Sequence, residues 1–434
     1  MSAPADLSVQ TTPAPGLPPS PVGRNALVLT GGGARAAYQV GVLMAVKEVL
    51  GNPRTNPFPI ISGTSAGAIN AAVLAMHADD FSAAVDRLYQ VWSNFHPSHV
   101  YRSDPAGVFA NSAYWIGALL FGALVKDDKV SLFDNEPLRG LLQKEIDFGR
   151  IGSHIDAGHL RAFSVTASGY TSGQSCTFFQ GAPDVEGWKR SQRVGIASKL
   201  RVDHLMASAA IPFAFPAIKV NREYFGDGSM RQMAPVSPAL HLGADRVFVV
   251  GTAKLKKELP QRISGHTYPS LAQIAGHAMS SIFLDTLVVD LELLARINTT
   301  IMLVDPAKLR ESGMPLHHVD VCVACPTQSL DQLAPKYVGN LPWAIRFLLR
   351  SIGAMRKGGA TLASYMLFDK DYCQALIRMG YDDTLANRDD IKLFFDPNAR
   401  PNPMTLPQNN YDPTRTATFD SPLTPPSAPT AHAA

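Results

Sequence analysis

An α/β fold is predicted from two stretches near the start of the chain. Ala26-Leu27-Val28-Leu29 is a short apolar run that ends in Thr30-Gly31-Gly32-Gly33-Ala34-Arg35, after which Leu43, Val46, Val49 and Leu50 recur at helical spacing. Phe58 to Ile61 is a second apolar run, followed by Ser62-Gly63-Thr64-Ser65-Ala66-Gly67 and a helix-forming stretch to Met76. Both units read strand, glycine turn, helix. They are close enough in sequence to place their loops on adjacent strands.

The composition bounds the function. The chain has 434 residues, 46% hydrophobic and 17% charged, enough for one large domain with additions or for two domains. Its 39 basic and 36 acidic side chains leave a net charge of +3, so no nucleic-acid footprint is visible. Four cysteines do not make a disulfide framework and suit a reducing compartment. Cys176 and Cys373 stand alone. Cys322 and Cys325 fall at the end of the strand-like Val319–Val323 with no second pair at zinc spacing, so no metal and no cofactor is expected. Residues 1–24 are rich in proline and lack an apolar run, which reads as a disordered leader and as neither signal peptide nor membrane anchor. From Pro397 to Ala434 proline, threonine, alanine, serine and asparagine dominate, and this reads as a disordered tail. The expectation is a cytoplasmic protein, peripheral at a membrane at most.

Gly63-Thr64-Ser65-Ala66-Gly67 is a G-x-S-x-G between a buried strand and a helix, the setting of a nucleophile elbow. Ser65 then stands exposed above the sheet at a helix N-terminus, where developing negative charge is favoured. The loop Gly31-Gly32-Gly33-Ala34-Arg35 turns backbone N–H groups toward one cavity and suits an anion. Gly31-x-Gly33-x-x-Ala36 also meets the loose dinucleotide fingerprint. That reading needs an acid at the end of the second strand, where Ser62-Gly63-Thr64-Ser65 stands instead. The favoured anion is the oxyanion formed when Ser65 attacks an ester. For a base, His96, His99, His317 and His318 lie in polar stretches. Asp227 ends the strand-like segment that begins at Lys219 and is followed at once by Gly228-Ser229. An ordinary Asp, with a pKa of about 3.9, becomes a useful base only when partly desolvated and bonded directly to the serine. On local sequence alone, the reading of Asp227-Gly228 as a type I′ hairpin turn wins.

These motifs in this order resemble the patatin-like phospholipases, a family of lipid acyl hydrolases. The resemblance rests on Gly31-Gly32-Gly33-Ala34-Arg35, Gly63-Thr64-Ser65-Ala66-Gly67 and Asp227-Gly228, with flanking similarity at Ala207–Pro212, Pro235–Ala239 and Gly243-Ala244-Asp245. It covers roughly 25–251, and Ala363–Phe368 with Ala375–Ile377 is similar to the ending of bacterial members. It implies a three-layer α/β/α sandwich around a mostly parallel sheet. It also implies a Ser65–Asp227 dyad without histidine, and an oxyanion hole from the Gly32, Gly33 and Ala34 amides with Gly31 and Arg35 beside them. Two positions depart from the family pattern: Ala36 replaces a frequent glycine, and Ser229 a frequent glycine or alanine.

Beyond residue 251, a helical pattern runs from Pro269 to Asn298, Thr299 to Val304 reads as a strand, and Trp343 to Tyr372 as mostly helix. Residues 252–396 are therefore expected as a mainly helical cap packed on a 25–251 catalytic domain. Ala113–Val125 is apolar all round, a lid or acyl-pocket wall if not a core helix. Leu341–Ile352 mixes Trp, Phe and Leu with spaced arginines, which suits either a membrane-surface helix or core packing. The expected function is a serine acyl hydrolase acting on fatty-acyl esters of lipids or phospholipids. The alternatives are a lipid transacylase and a non-catalytic lipid-binding or scaffolding protein on the same fold. Oligomeric state is not written in the residues.

Overall fold

The structure, a computed structural model, describes residues 24–121, 131–255, 271–313, 316–351 and 360–399. The expected leader and tail lie almost wholly outside the described residues, as do residues 122–125 of the Ala113–Val125 stretch. The rest of that stretch belongs to the helix Pro105–Phe121.

Among the described residues, ten strands form one mixed sheet: β1 (Asn25–Leu29), β2 (Ile60–Thr64), β3 (Ala162–Gly169), β4 (Ser175–Gly181), β5 (Trp188–Arg190), β6 (Arg193–Ala197), β7 (Ile218–Val220), β8 (Glu223–Asp227), β9 (Arg246–Val250) and β10 (Asp320–Ala324). Their order is β10-β9-β1-β2-β3-β4-β6-β5, with β8 pairing the end of β3 and β7 pairing β8. The run from β10 to β3 is parallel throughout. Helices lie on both faces, and residue alternation along the strands explains why. In β1, Leu27 and Leu29 join the larger apolar cluster while Ala26 and Val28 join the smaller one on the other face. Phe248 and Val250 of β9 likewise oppose Val247 and Val249. A strand buried on both sides needs a helical layer over each, which makes the three-layer sandwich.

Both glycine-turn units form, the second with its strand at Ile60–Thr64 rather than the expected Phe58–Ile61, so that Ser62 to Thr64 belong to the strand. After β1 a 3-10 turn, Gly33–Ala36, leads into α1 (Ala37–Val49), and β2 turns directly into α2 (Ala66–Met76). The next helix, α3 (Phe81–Trp92), is capped by Asp80, whose carboxylate accepts from the Ala83 amide. Both β1 and β2 deliver their loops to the same edge of the sheet, since they pair in parallel with Leu29 opposite Gly63.

The chain beyond residue 251 is mainly helical and also completes the core. Its strand β10 extends the parallel sheet beside β9. The helix Lys370–Leu385 packs along α1 so closely that a Cβ on Gly41 would stand 1.9 Å from the Ile377 carbonyl oxygen, and one on Gly380 2.2 Å from that of Tyr38. Thr299 to Val304 is not a strand. The helix Leu271–Leu303 runs through nearly all of it, with the Thr299 and Thr300 hydroxyls donating to the Ala295 and Arg296 carbonyls one turn back. Those bonds satisfy the β-branched residues inside a helix whose earlier turns are already packed, overriding their strand preference. In the helix Trp343–Ser351, Ala344, Ile345 and Leu349 are buried while Trp343 and Phe347 are more than half exposed, so one face serves the core and the other faces outward.

Because Gly41 and Gly380 meet across one helix crossing, Gly41→Ala and Gly380→Ala are each expected to destabilise the fold by about 1–3 kcal/mol through overpacking. In a double-mutant cycle the two losses should be less than additive, because either one spreads the same crossing. Chemical denaturation of the four proteins measures this.

Candidate active site

Ser65 sits between β2 and α2 with φ 56° and ψ −131°, a conformation L-residues adopt only when surrounded by determining contacts. Two such contacts hold it. Its amide donates to Ser208 Oγ at 2.8 Å, and Ser208 Oγ donates to the Thr166 carbonyl of β3 at 2.6 Å. Gly67 allows the turn to press against β1, since a Cβ there would lie 2.4 Å from the Leu29 carbonyl oxygen. Gly63 is in β2, Thr64 ends it, and Ala66 opens α2. The Thr64 hydroxyl donates to Gln232 Oε1 at 2.7 Å.

From this position the Ser65 hydroxyl donates to Asp227 Oδ2 at 2.5 Å, within the range of a hydrogen bond to a charged acceptor. Asp227 is the last residue of β8, which pairs antiparallel with β3 through Ala167. Gly228 and Ser229 begin a 3-10 turn, and the Ser229 amide donates to Asp227 Oδ1 at 2.9 Å. The hairpin reading of Asp227-Gly228 is therefore wrong. The hairpin instead joins β7 to β8 and turns at Asn221, φ 55°, and Arg222. Asp227 is fully buried, and that burial pushes its carboxyl up to about 6, against the lowering effect of the bonds from Ser65 and Ser229.

The glycine loop lies beside Ser65. Gly33 takes φ 55°, and a Cβ on it would stand 2.3 Å from the Tyr365 carbonyl oxygen. Thr30 N–H donates to the Val250 carbonyl and Arg35 N–H to the Gly32 carbonyl, while the amides of Gly32, Gly33 and Ala34 between them meet no acceptor among the described residues. The Gly31 carbonyl accepts from the Thr252 hydroxyl at 2.6 Å. Arg35 is placed differently from the expectation. Its side chain is buried and turned from Ser65 into the C-terminal region, bonded to Ser364 Oγ at 2.8 Å through Nε, to Asp331 through Nη2, and stacked 4.0 Å over the Tyr365 ring. It therefore ties the loop to the C-terminal region and does not face Ser65.

Gly33 and Ser65 open into one cleft of about 770 Å3, counting its open mouth, with walls that include Ile69, Val73, Leu88, Val91, Leu142 and Ile146. One polar chain crosses its wall. Trp92 Nε1 donates to Asn70 Oδ1 at 2.8 Å, Asn70 Nδ2 to Gln39 Oε1 at 2.9 Å, and Gln39 Nε2 to the Thr30 carbonyl at 2.8 Å. All three side chains are buried. The cleft thus offers an apolar groove that begins at a serine hydroxyl, a carboxylate and unpaired amides.

Other expected positions lie apart from this cluster. His99 Nδ1 accepts from the His96 amide in a short surface turn, and His317 contacts the Ala244 carbonyl. Cys322 is in β10 and Cys325 follows it, and burial pushes both thiols up to about 12. Sequence reasoning assigned no role to Ser208, Gln232, Thr252 or Asp331. Ser208 lay in a quoted stretch, but a buried serine has no spacing signal of its own.

Since Asp227 is raised toward about 6, the folded protein binds more protons than the unfolded chain between about pH 4 and pH 6, and stability falls as pH rises through that window. Asp227→Asn removes the ionisation. It is expected to stabilise the protein on the order of 2 kcal/mol at pH 8, and to change little at pH 4, in thermal or urea unfolding at the two pH values.

Residues 27–240 match the patatin-like phospholipase family model. A cGAMP-activated phospholipase of Pseudomonas aeruginosa is 27% identical over 217 residues, 50% of this chain and 55% of that protein. A cUMP-AMP-activated phospholipase of Escherichia coli is 37% identical over 71 residues, 16% of this chain and 21% of that protein. The chain thus aligns with about half the length of the first relative and a fifth of the second. The solved structure of VipD from Legionella pneumophila aligns over 85% of this chain and 67% of its own at 13% identity and a TM-score of 0.31, too distant to bear on the site. Through residues 27–240, the chain belongs to the patatin-like phospholipase family.

Proposed function

We propose that the protein is a serine acyl hydrolase that cleaves fatty-acyl esters of lipids or phospholipids, with Ser65 as nucleophile, Asp227 as base and the Gly32, Gly33 and Ala34 amides as oxyanion hole. The observation that carries this reading is the 2.5 Å bond from Ser65 Oγ to a fully buried carboxylate at the head of an apolar cleft. Asp227 takes the Ser65 proton as Oγ attacks the ester carbonyl, and the charge that forms on the carbonyl oxygen is met by the unpaired loop amides. Collapse of the intermediate breaks the ester C–O bond, and the departing alcohol takes the proton back from Asp227. A water then gives its proton to Asp227 and attacks the acyl-serine, releasing the fatty acid and returning the proton to Ser65.

Three features support the assignment of these roles. A carboxyl raised to about 6 is a better proton acceptor than an ordinary Asp while still ionised at neutral pH. The Ser65 amide is already bonded to Ser208, which leaves the glycine loop as the source of donors. Phe213, 77% exposed between the cleft-lining Ile211 and Phe215, offers an apolar contact to a lipid surface at which the protein meets its substrate.

Ser65→Ala and Asp227→Asn are each expected to reduce ester hydrolysis by roughly a thousandfold or more while the proteins stay folded. Labelling by a fluorophosphonate probe, read by intact mass, should be lost with Ser65 and strongly slowed without Asp227. Near-normal turnover in either variant overturns the mechanism. In the wild type, kcat/KM should climb with pH through about 6 and level off above it, because only ionised Asp227 accepts the proton.

A further inference from the structure

We propose that the ion pair between Arg87 and Glu145 is a chain-length gate, closing the far end of the cleft so that the site favours medium-chain acyl esters. The inference rests on the acyl hydrolase reading of Ser65. Ala66, Ile69, Asn70 and Val73 line the cleft, so it runs along α2, which rises about 10 Å from Ala66 to Val73, a length that an extended acyl chain of roughly eight carbons spans.

The far end is located by contacts. Glu145 is the last residue of the helix Glu136–Glu145, and two residues later the Asp147 amide donates to Met76 Sδ at 3.0 Å. Met76 is the last residue of α2, so Glu145 stands at the end of the cleft opposite Ser65. On α3, Trp92 is tied to Asn70 midway along α2, and Arg87 lies more than a turn before it, where Nη2 donates to Glu145 Oε2. Of the residues lining the cleft, Arg87 and Glu145 are the charged ones.

An acyl chain entering from Ser65 meets apolar walls and gains from each buried methylene until its tip reaches this pair. Further carbons must then either displace the pair or press on charged groups that lose water. The Arg87 side chain is 43% exposed and that of Glu145 15%, so the pair is of the weak, solvent-screened kind that burial of one or two methylenes rivals. It is therefore strong enough to set a preference and weak enough to yield. A merely structural ion pair between the two helices and a gate differ in what they predict about substrates.

The test compares kcat/KM for the p-nitrophenyl esters of butanoate, octanoate, dodecanoate and hexadecanoate. In the wild type the values should rise to octanoate and fall beyond it. In Arg87→Ala/Glu145→Ala the ratio of hexadecanoate to octanoate should rise by roughly tenfold or more, since several added methylenes then find an open path. The reversed pair Arg87→Glu/Glu145→Arg should restore the wild-type ratio. Each ratio comes from one preparation, so partial loss of folded enzyme cancels. A double variant with the wild-type ratio, or a wild type that already prefers hexadecanoate, overturns the gate. Fluorophosphonate labelling of the same wild-type protein separates the two readings. If Ser65 labels but the profile is unchanged by the variants, the gate alone fails, whereas no labelling and no turnover of any ester overturns the hydrolase reading together with the gate.

Discussion

Ser65 is held at φ 56° by contacts from three strands, and the rest of the site is arranged around that one strained residue. Its position follows from β2, its amide is fixed through Ser208 to Thr166 of β3, and the turn after it is pressed on the end of β1 through Gly67. A conformation of this kind costs on the order of 1–3 kcal/mol. It persists because the parallel strands bring their carboxyl ends to one edge, where several elements restrain it at once. The strain also has a consequence for chemistry: it points the hydroxyl away from α2 and into the bond with Asp227.

A buried carboxylate is unfavourable by itself, and here it is surrounded by just enough donors to remain ionisable. Asp227 accepts from the Ser65 hydroxyl and the Ser229 amide, and burial still outweighs both in raising its affinity for a proton. Beside it, the three buried loop amides meet no acceptor among the described residues. In the proposed reaction these are preorganised charges, a cost in the resting protein that is offset when charge develops on the ester carbonyl.

The glycine loop is positioned from the far end of the chain. Arg35 reaches Asp331, Ser364 and Tyr365, and Gly33 fits under the Tyr365 carbonyl. Beneath the loop, α1 packs against the helix Lys370–Leu385, and β1 is paired on one side by β9, itself flanked by β10. All of these partners follow residue 240, beyond the stretch that matches the family. The part of the chain that bears the motifs therefore depends, for the shape of its glycine loop, on the part that bears none.

By itself the sequence determined the local chemistry. The two strand, glycine turn, helix units, the serine on its elbow and the aspartate at a strand end were legible because each is a short-range pattern in which glycine or a breaker marks the backbone. The larger fold class came from the order of those motifs. What required tertiary structure was every pairing across distance. Ser208, Gln232 and Asp331 carry no spacing signal, Arg35 turns away from the site its motif suggests, and β10 joins the sheet some seventy residues after its neighbour. Thr299 to Val304 was misread because β-branched residues favour strands locally, whereas the long helix supplies carbonyls that satisfy their hydroxyls. Local pattern reports what a segment prefers in isolation. Which buried polar group finds which partner, and where an apolar cleft ends in charge, is decided only when the segments are packed.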